Sequence, residues 1–179
     1  GDDFSTLYPE RIAAYGLRVC TLQMMRVAPA QPTAFNAAVM SDTSYGRYEG
    51  FSGLPGGQAL AARLAQDLPE LGAAGIHVIA VQSADGSLVV GDSHVYGDAP
   101  APFRAERVDA LILEEFDRMF DLPGRAVVER WSGTYASSPD RVMLVDRPAD
   151  NVRLVMVTGG TGASTGFALG EEVVAELIP

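Results

Sequence analysis

The sequence predicts an α+β fold, with an antiparallel or mixed sheet and flanking helices. Three observations predict it. Two β-rich runs, Ile76 to Ser83 and Ser87 to Asp92, are joined by Ala84-Asp85-Gly86, and Asp-Gly supplies the positive-φ positions of a hairpin turn. Between Pro102 and Phe120, the residues Val108, Leu111, Ile112, Phe116 and Met119 form one helical stripe, the pattern of a helix packed on one face. At least five strands with hairpin-like links stand beside helices that do not alternate with them.

Taken in order, residues 4–14 predict a short helix starting near Ser5 or Thr6. Residues 17–28 read as a long, partly alternating strand that Pro29 ends, and 35–41 as a weaker one. Ser44 to Gly57 is rich in Gly, Tyr and Ser and reads as a loop, of the kind that lines pockets. Gln58 to Leu68 is a helix stopped by Pro69. After the hairpin and the 102–120 helix, which Pro123-Gly124 terminates, Ala126 to Tyr135 is a strand. Arg141 to Val145 and Val152 to Thr158 are two more, joined by Pro148-Ala149-Asp150-Asn151. A glycine-rich turn then leads into a last helix reaching about Ile178, with Val173, Val174, Leu177 and Ile178 as its buried face. No internal repeat or linker interrupts the chain.

Composition removes several function classes. The 179 residues carry a formal charge of −10, which repels nucleic-acid phosphate and anionic lipid. All 13 basic residues are Arg, so the chain has neither a Schiff-base lysine nor a P-loop lysine. The single cysteine, Cys20, precludes an internal disulfide and a Cys-rich zinc site. It lies in an apolar run and reads as a buried thiol of a reduced, cytoplasmic protein. No stretch of eighteen apolar residues predicts a membrane span. The acidic start, Gly1-Asp2-Asp3-Phe4, is not a signal peptide, and it opens as though a preceding strand had been cut away.

Most informative is Thr158-Gly159-Gly160-Thr161-Gly162-Ala163-Ser164-Thr165-Gly166. A strand that runs through bare glycines into a helix brings a ligand close to the backbone, and the first-turn N–H groups point at it. Ser164 and Thr165 are placed to cap the helix or to donate to that ligand. The dinucleotide fingerprint needs a crossover helix, a further parallel strand and an acidic ribose partner downstream. None follows, so this turn completes a site built elsewhere, or it is a tight structural corner.

Leu154 to Glu172 resembles the last FAD-contacting element of the D-amino-acid oxidase and glycine oxidase family. Ile76 to His94, the 106–120 helix with Glu129-Arg130-Trp131-Ser132-Gly133-Thr134-Tyr135, and Gln23-Met24-Met25-Arg26 are similar to that family's hairpin, Trp-x-Gly strand and first substrate-domain strand, in the same order. Within the family, Gln23 to Arg26, Gly91-Asp92-Ser93-His94 and Arg130 to Gly133 look most like a subgroup associated with aminophosphonates. The resemblance implies oxidation of a C–N bond in a small amine, with hydride transfer to N5 of a non-covalent FAD. It implies residues 1–150 as a substrate-binding domain, and 151–179 as a strand, loop and helix completing an FAD domain whose N-terminal half lies outside this chain. In that arrangement Gly159, Gly160, Thr161, Gly162, Ala163, Ser164, Thr165 and Gly166 contact the cofactor, in a turn left exposed without it.

The candidate catalytic residues are His94 and Tyr135. Tyr135 stands where glycine oxidase-like members carry a carboxylate-binding Arg, which turns the expectation away from α-amino acids. The substrate candidates are Met25, Arg47, Tyr48 and Arg130, with Arg47 or Arg130 holding an acidic group. His94 reads either as a proton acceptor or as a hydrogen-bonded strand end. Arg47 and Tyr48 read either as a closing loop or as solvated packing. His77, among Ile76, Val78 and Ile79, reads as structural, and two histidines predict no metal. Glu114, Glu115 and Asp117 read as a solvated helix face. The partners expected are a small amine and the FAD-binding half, and a homo-oligomer is compatible with both. The competing reading is a non-enzymatic small-ligand or assembly domain without flavin.

Overall fold

The computed structural model describes residues 2–178. Gly1 and Pro179, the outer ends of the two segments read from the sequence, lie outside the described residues. The architecture is α+β, with antiparallel strands and flanking helices. By contacts the chain falls into two compact units: residues 21–95 with 101–133, and residues 1–20 with 96–100 and 134–179. Among the described residues no helix is long and apolar enough to cross a membrane.

The larger unit holds most of a six-stranded sheet, ordered β2-β3-β4-β1-β5 with β6 also on β1. Here β1 is Arg18–Ala28, β2 Val39–Met40, β3 Ile79–Gln82, β4 Leu88–Gly91, β5 Val95–Gly97 and β6 Ala126–Ser137. The hairpin turn forms where Asp85-Gly86 predicts it, with Gly86 at φ 85°. Strand alternation divides the sheet into two faces. Met25 and Val27 of β1, Leu88 and Val90 of β4 and Ala80 of β3 point into the core. Helix α6, Glu106–Met119, delivers Leu111, Ile112 and Phe116 to the same core. On β1's other face, Arg26 donates to Glu129 at 2.8 Å and to Ser87 at 2.9 Å.

The predicted loop between Ser44 and Gly57 is instead largely helical. Helix α2 is Asp42–Arg47 and α3 is Glu49–Ser52, followed by α4, Pro55–Asp67, and α5, Pro69–Ala73. Tertiary packing overrides the turn-like composition. Ser44 is fully buried, and the Tyr45 and Phe51 rings meet edge to face at 4.9 Å, holding α2 and α3 together. Glu115 also departs from its solvated reading. Its side chain is 3% exposed and pairs with Arg118 at 3.1 Å, and burial raises its carboxyl above the usual range.

The smaller unit packs α1, Pro9–Ala13, with the hairpin β7, Met143–Ala149, and β8, Val152–Val157. The predicted 4–14 helix shortens to this span because Pro9 starts it, while Asp3 holds the chain before it in a turn. Ile12, Ala136, Leu144 and Met156 form its core. Arg11 grips Asp146 with two nitrogens, at 2.5 and 2.6 Å. The last helix, α7, is Gly162–Ala175. Leu169 and Val173 are its buried residues, while Val174 and Ile178 are exposed, so the predicted apolar face is only partly covered.

Candidate functional site

In the larger unit, the hairpin brings three titratable side chains together. His77 and Asp92 exchange backbone hydrogen bonds, at 3.2 and 3.0 Å, which puts their side chains side by side. His94 follows two residues later and is fixed from below by the chain after α5. Its Nδ1 donates to the Gly75 carbonyl at 2.8 Å, and its backbone N–H reaches Ala74 O. Gly75 has φ +59°, and a Cβ there would lie 2.9 Å from His94 O. Glycine is therefore required both for the turn and for the close approach.

The two imidazoles stack, with centroids 4.6 Å apart. His77 Nε2 lies 3.5 Å from Asp92 Oδ1, and His94 Nε2 lies 3.8 Å from Asp92 Oδ2. His77 Nε2 and Asp92 Oδ1 are buried with no hydrogen-bond partner among the described residues. Burial sets the charge state by penalising charged forms. It pushes His77 down to about 3, helped by the neighbouring His94 and Arg47, and His94 down to about 4. It pushes Asp92 up to about 6, against the pull of Arg47. At neutral pH the cluster is two neutral rings beside one carboxylate.

His77 also lines a cleft of about 250 Å³, together with Gly46, Arg47, Leu64, Leu68 and Gly75. Tyr48 stands edge-on to His77, with centroids 5.7 Å apart. Burial and the Asp92 charge raise its phenol above its ordinary range, so it is a neutral donor. Of the residues singled out from sequence, Arg47, Tyr48 and His94 therefore come together. Met25 does not join them: it is 0% exposed, inside the core. Arg130 pairs with Asp109 at 3.1 Å, in a network where Asp109 also takes two bonds from Arg104 and one, at 2.7 Å, from the Gln23 amide. Asp109→Ala strands that buried amide and leaves two guanidiniums unpaired. It should cost about 2 kcal/mol in a urea melt.

Sequence reasoning missed Asp92 as a partner and took His77 for structure alone. The available pointer was the hairpin itself, since residues flanking a two-stranded turn must face one another.

In the smaller unit, Tyr135 lines a groove of about 710 Å³ together with Arg153, Gly159, Gly160, Gly162 and Gly166. Gly160, Thr161, Ala163, Ser164, Thr165 and Gly166 are exposed, and Gly159 and Gly162 are half-buried. Phe167, next in line, is 92% exposed. The Ser164 and Thr165 hydroxyls both donate to the Thr161 carbonyl at 2.9 Å, so they cap the turn internally. Helix geometry leaves the N–H groups of the first turn without intrahelical partners. At Gly159 and Gly160 an added Cβ would meet nothing within 4 Å, and neither has a positive φ. Nothing within the described residues requires glycine at these two positions.

A family model described as FAD dependent oxidoreductase matches residues 51–177, a span that contains both the hairpin cluster and the whole glycine turn. The chain belongs to the FAD dependent oxidoreductase family. No curated protein and no solved structure matches it. Membership gives the glycines a context that their own packing does not, because an FAD dependent oxidoreductase must admit a bulky, polar cofactor to its backbone.

Proposed function

We propose that this FAD dependent oxidoreductase oxidises the C–N bond of a small amine bearing an acidic group, with an aminophosphonate as the favoured class. The observation that carries the reading is the exposed glycine turn within the matched span, whose glycines at 159 and 160 have no steric reason inside the chain. Residues present here fit part of an FAD site. Gly159 to Gly166 offer bare backbone and the first-turn amides of α7, whose dipole favours negative charge. The sequence contains no Gly-x-Gly-x-x-Gly unit, so the main cradle would come from outside residues 1–179. Its one cysteine, Cys20, is remote in sequence from the turn, and the cofactor would be held non-covalently.

The flavin, when bound, supplies the acceptor for a hydride from the carbon next to nitrogen. The chain's own groups supply binding and protonation. Arg47, on the cleft that His77 lines, would hold the acidic group of the substrate. Arg130 is already committed to Asp109. Tyr48 would donate a hydrogen bond as a neutral phenol. His94, neutral and anchored by Gly75, would stand ready to accept a proton. Tyr135 would act from the groove wall beside the turn. Residues 1–150 would serve the substrate and 151–179 the cofactor.

The test is the colour of the full-length gene product and its anaerobic bleaching by a panel of amines and aminophosphonates. Flavin absorbance that bleaches fastest with an aminophosphonate is the expected result. A colourless protein that takes up no added FAD overturns the proposal. Gly160→Val is expected to keep the melting temperature, since the position is open, and to weaken FAD binding at least tenfold by filling the approach.

A further inference from the structure

We propose that His77, Asp92 and His94 form a subsite for the ammonium group of a primary amine. It deepens the amine-oxidation reading, on which it rests for the identity of the substrate, though not for binding itself.

The argument starts from hydrogen-bond polarity. A carbonyl only accepts, so the His94 contact to Gly75 O makes Nδ1 the donor and leaves the lone pair on Nε2. Ser44 reaches the Val78 carbonyl at 3.5 Å, where its hydroxyl must donate, so its oxygen accepts from His77 Nδ1, also at 3.5 Å. The lone pair of His77 then also falls on Nε2. Both lone pairs stand within 4 Å of a carboxylate oxygen, so the cluster presents acceptors to acceptors. Such a grouping is costly when buried, and it is relieved by a cation or a set of N–H donors placed among them.

Size decides between the two obvious cations. The three ligand atoms lie within 4.8 Å of one another. An ammonium with N–H···acceptor distances of about 2.9 Å and tetrahedral directions spaces its acceptors about 4.7 Å apart. A tetrahedral zinc at about 2.0–2.1 Å needs its ligands about 3.3 Å apart, with their lone pairs converging. The imidazoles are stacked 22° from parallel, so their lone pairs run alongside each other and do not meet at a point two ångströms away. Ammonium fits the spacing without movement, and zinc does not.

Charge agrees with size. Above about pH 6, Asp92 carries the one negative charge of the cluster, between two rings held neutral by burial. Arg47 acts electrostatically on all three groups and lines the cleft beside His77. The surroundings thus offer a negative site next to a positive one, with Tyr48 uncharged. A zwitterion with an amine at one end and an acid at the other matches that order.

The test is a titration of the full chain with methylammonium chloride, followed by side-chain nitrogen NMR of the two histidines. Tetramethylammonium, which has the charge but no N–H, serves as control. Methylammonium should move both Nε2 resonances at pH 7.5, and tetramethylammonium should move neither. Asp92→Asn should weaken methylammonium binding at least tenfold. His77→Gln should weaken it too, which keeps the test decisive if the first variant unfolds. Unmoved imidazoles, or equal shifts with tetramethylammonium, overturn the subsite, as does a zinc ion bound so tightly that methylammonium cannot compete. Because the readout needs neither flavin nor turnover, a chain that binds methylammonium but never takes up FAD refutes the oxidase reading and leaves the subsite standing.

Discussion

Phe116→Ala is expected to lose about 3–5 kcal/mol of folding free energy. The ring is fully buried where α6 meets the sheet. It stacks on Phe120 with centroids 4.8 Å apart, and Phe120 in turn meets Phe35 edge to face at 5.1 Å. Truncation therefore removes the central member of a chain of three aromatics. The site cannot collapse to fill the gap, because Met25, Val27 and Val90 are held by the β1–β4 ladder, and interiors this dense relax only partly. Against a typical total stability of about 5–15 kcal/mol, the loss is a third or more. Phe116→Leu retains most of the volume and should cost about 1–2 kcal/mol. Urea melts with far-ultraviolet circular dichroism measure both. An F116A protein within about 1 kcal/mol of the parent is incompatible with this packing.

Phe116 also shows how far the fold was legible in the sequence. Its stripe on α6 repeats at helical spacing, and the Asp85-Gly86 turn is local chemistry, so both could be read from neighbouring residues. The segment after Ser41 could not. Its helices depend on Ser44 lying against Val78, thirty-four positions away, a contact that no local pattern encodes. The candidate site was half legible for a related reason. His94 stood out as a histidine at a strand end, and Arg47 and Tyr48 stood out as charged and aromatic residues among glycines. His77 looked like one more residue in an apolar run.

Register explains why His77 was hidden. In the hairpin Ile79 faces Gly91 and Gln82 faces Leu88, and continuing that register would place Asp92 opposite Val78. Instead Asp92 exchanges hydrogen bonds with His77. The one-residue shift moves a side chain from one face of the sheet to the other, and it turns a histidine read as structural into the neighbour of a buried carboxylate. Met25 erred in the opposite direction. Its alternation with Met24 was right, but nothing in Met24-Met25 says which face meets the helix.

The buried cluster makes stability fall on the acid side of neutrality. His77 and His94 have folded-state values near 3 and 4, against an ordinary value near 6.5. Between about pH 6.5 and pH 4 the unfolded chain binds protons that the folded chain refuses, so acidification favours unfolding. Asp92 acts with opposite sign. Its folded value near 6 lies above its ordinary 3.8, so in much of the same window the folded chain takes up a proton first and gains stability. At about 1.4 kcal/mol per unit, each histidine removes up to roughly 3 kcal/mol by pH 4 and Asp92 restores a similar amount, leaving a net loss of roughly 3 kcal/mol. Arg47 remains charged and Tyr48 neutral throughout, so neither alters the sign. Melting temperatures between pH 7.5 and pH 4 should decline from about pH 6.5. Replacing both histidines with Gln should remove that decline, because the groups that resist protonation are gone. Asp92→Asn should steepen it, because the compensating uptake is gone. A parent protein equally stable at pH 7 and pH 4, with both variants tracking it, would mean that the two rings are not buried beside the carboxylate.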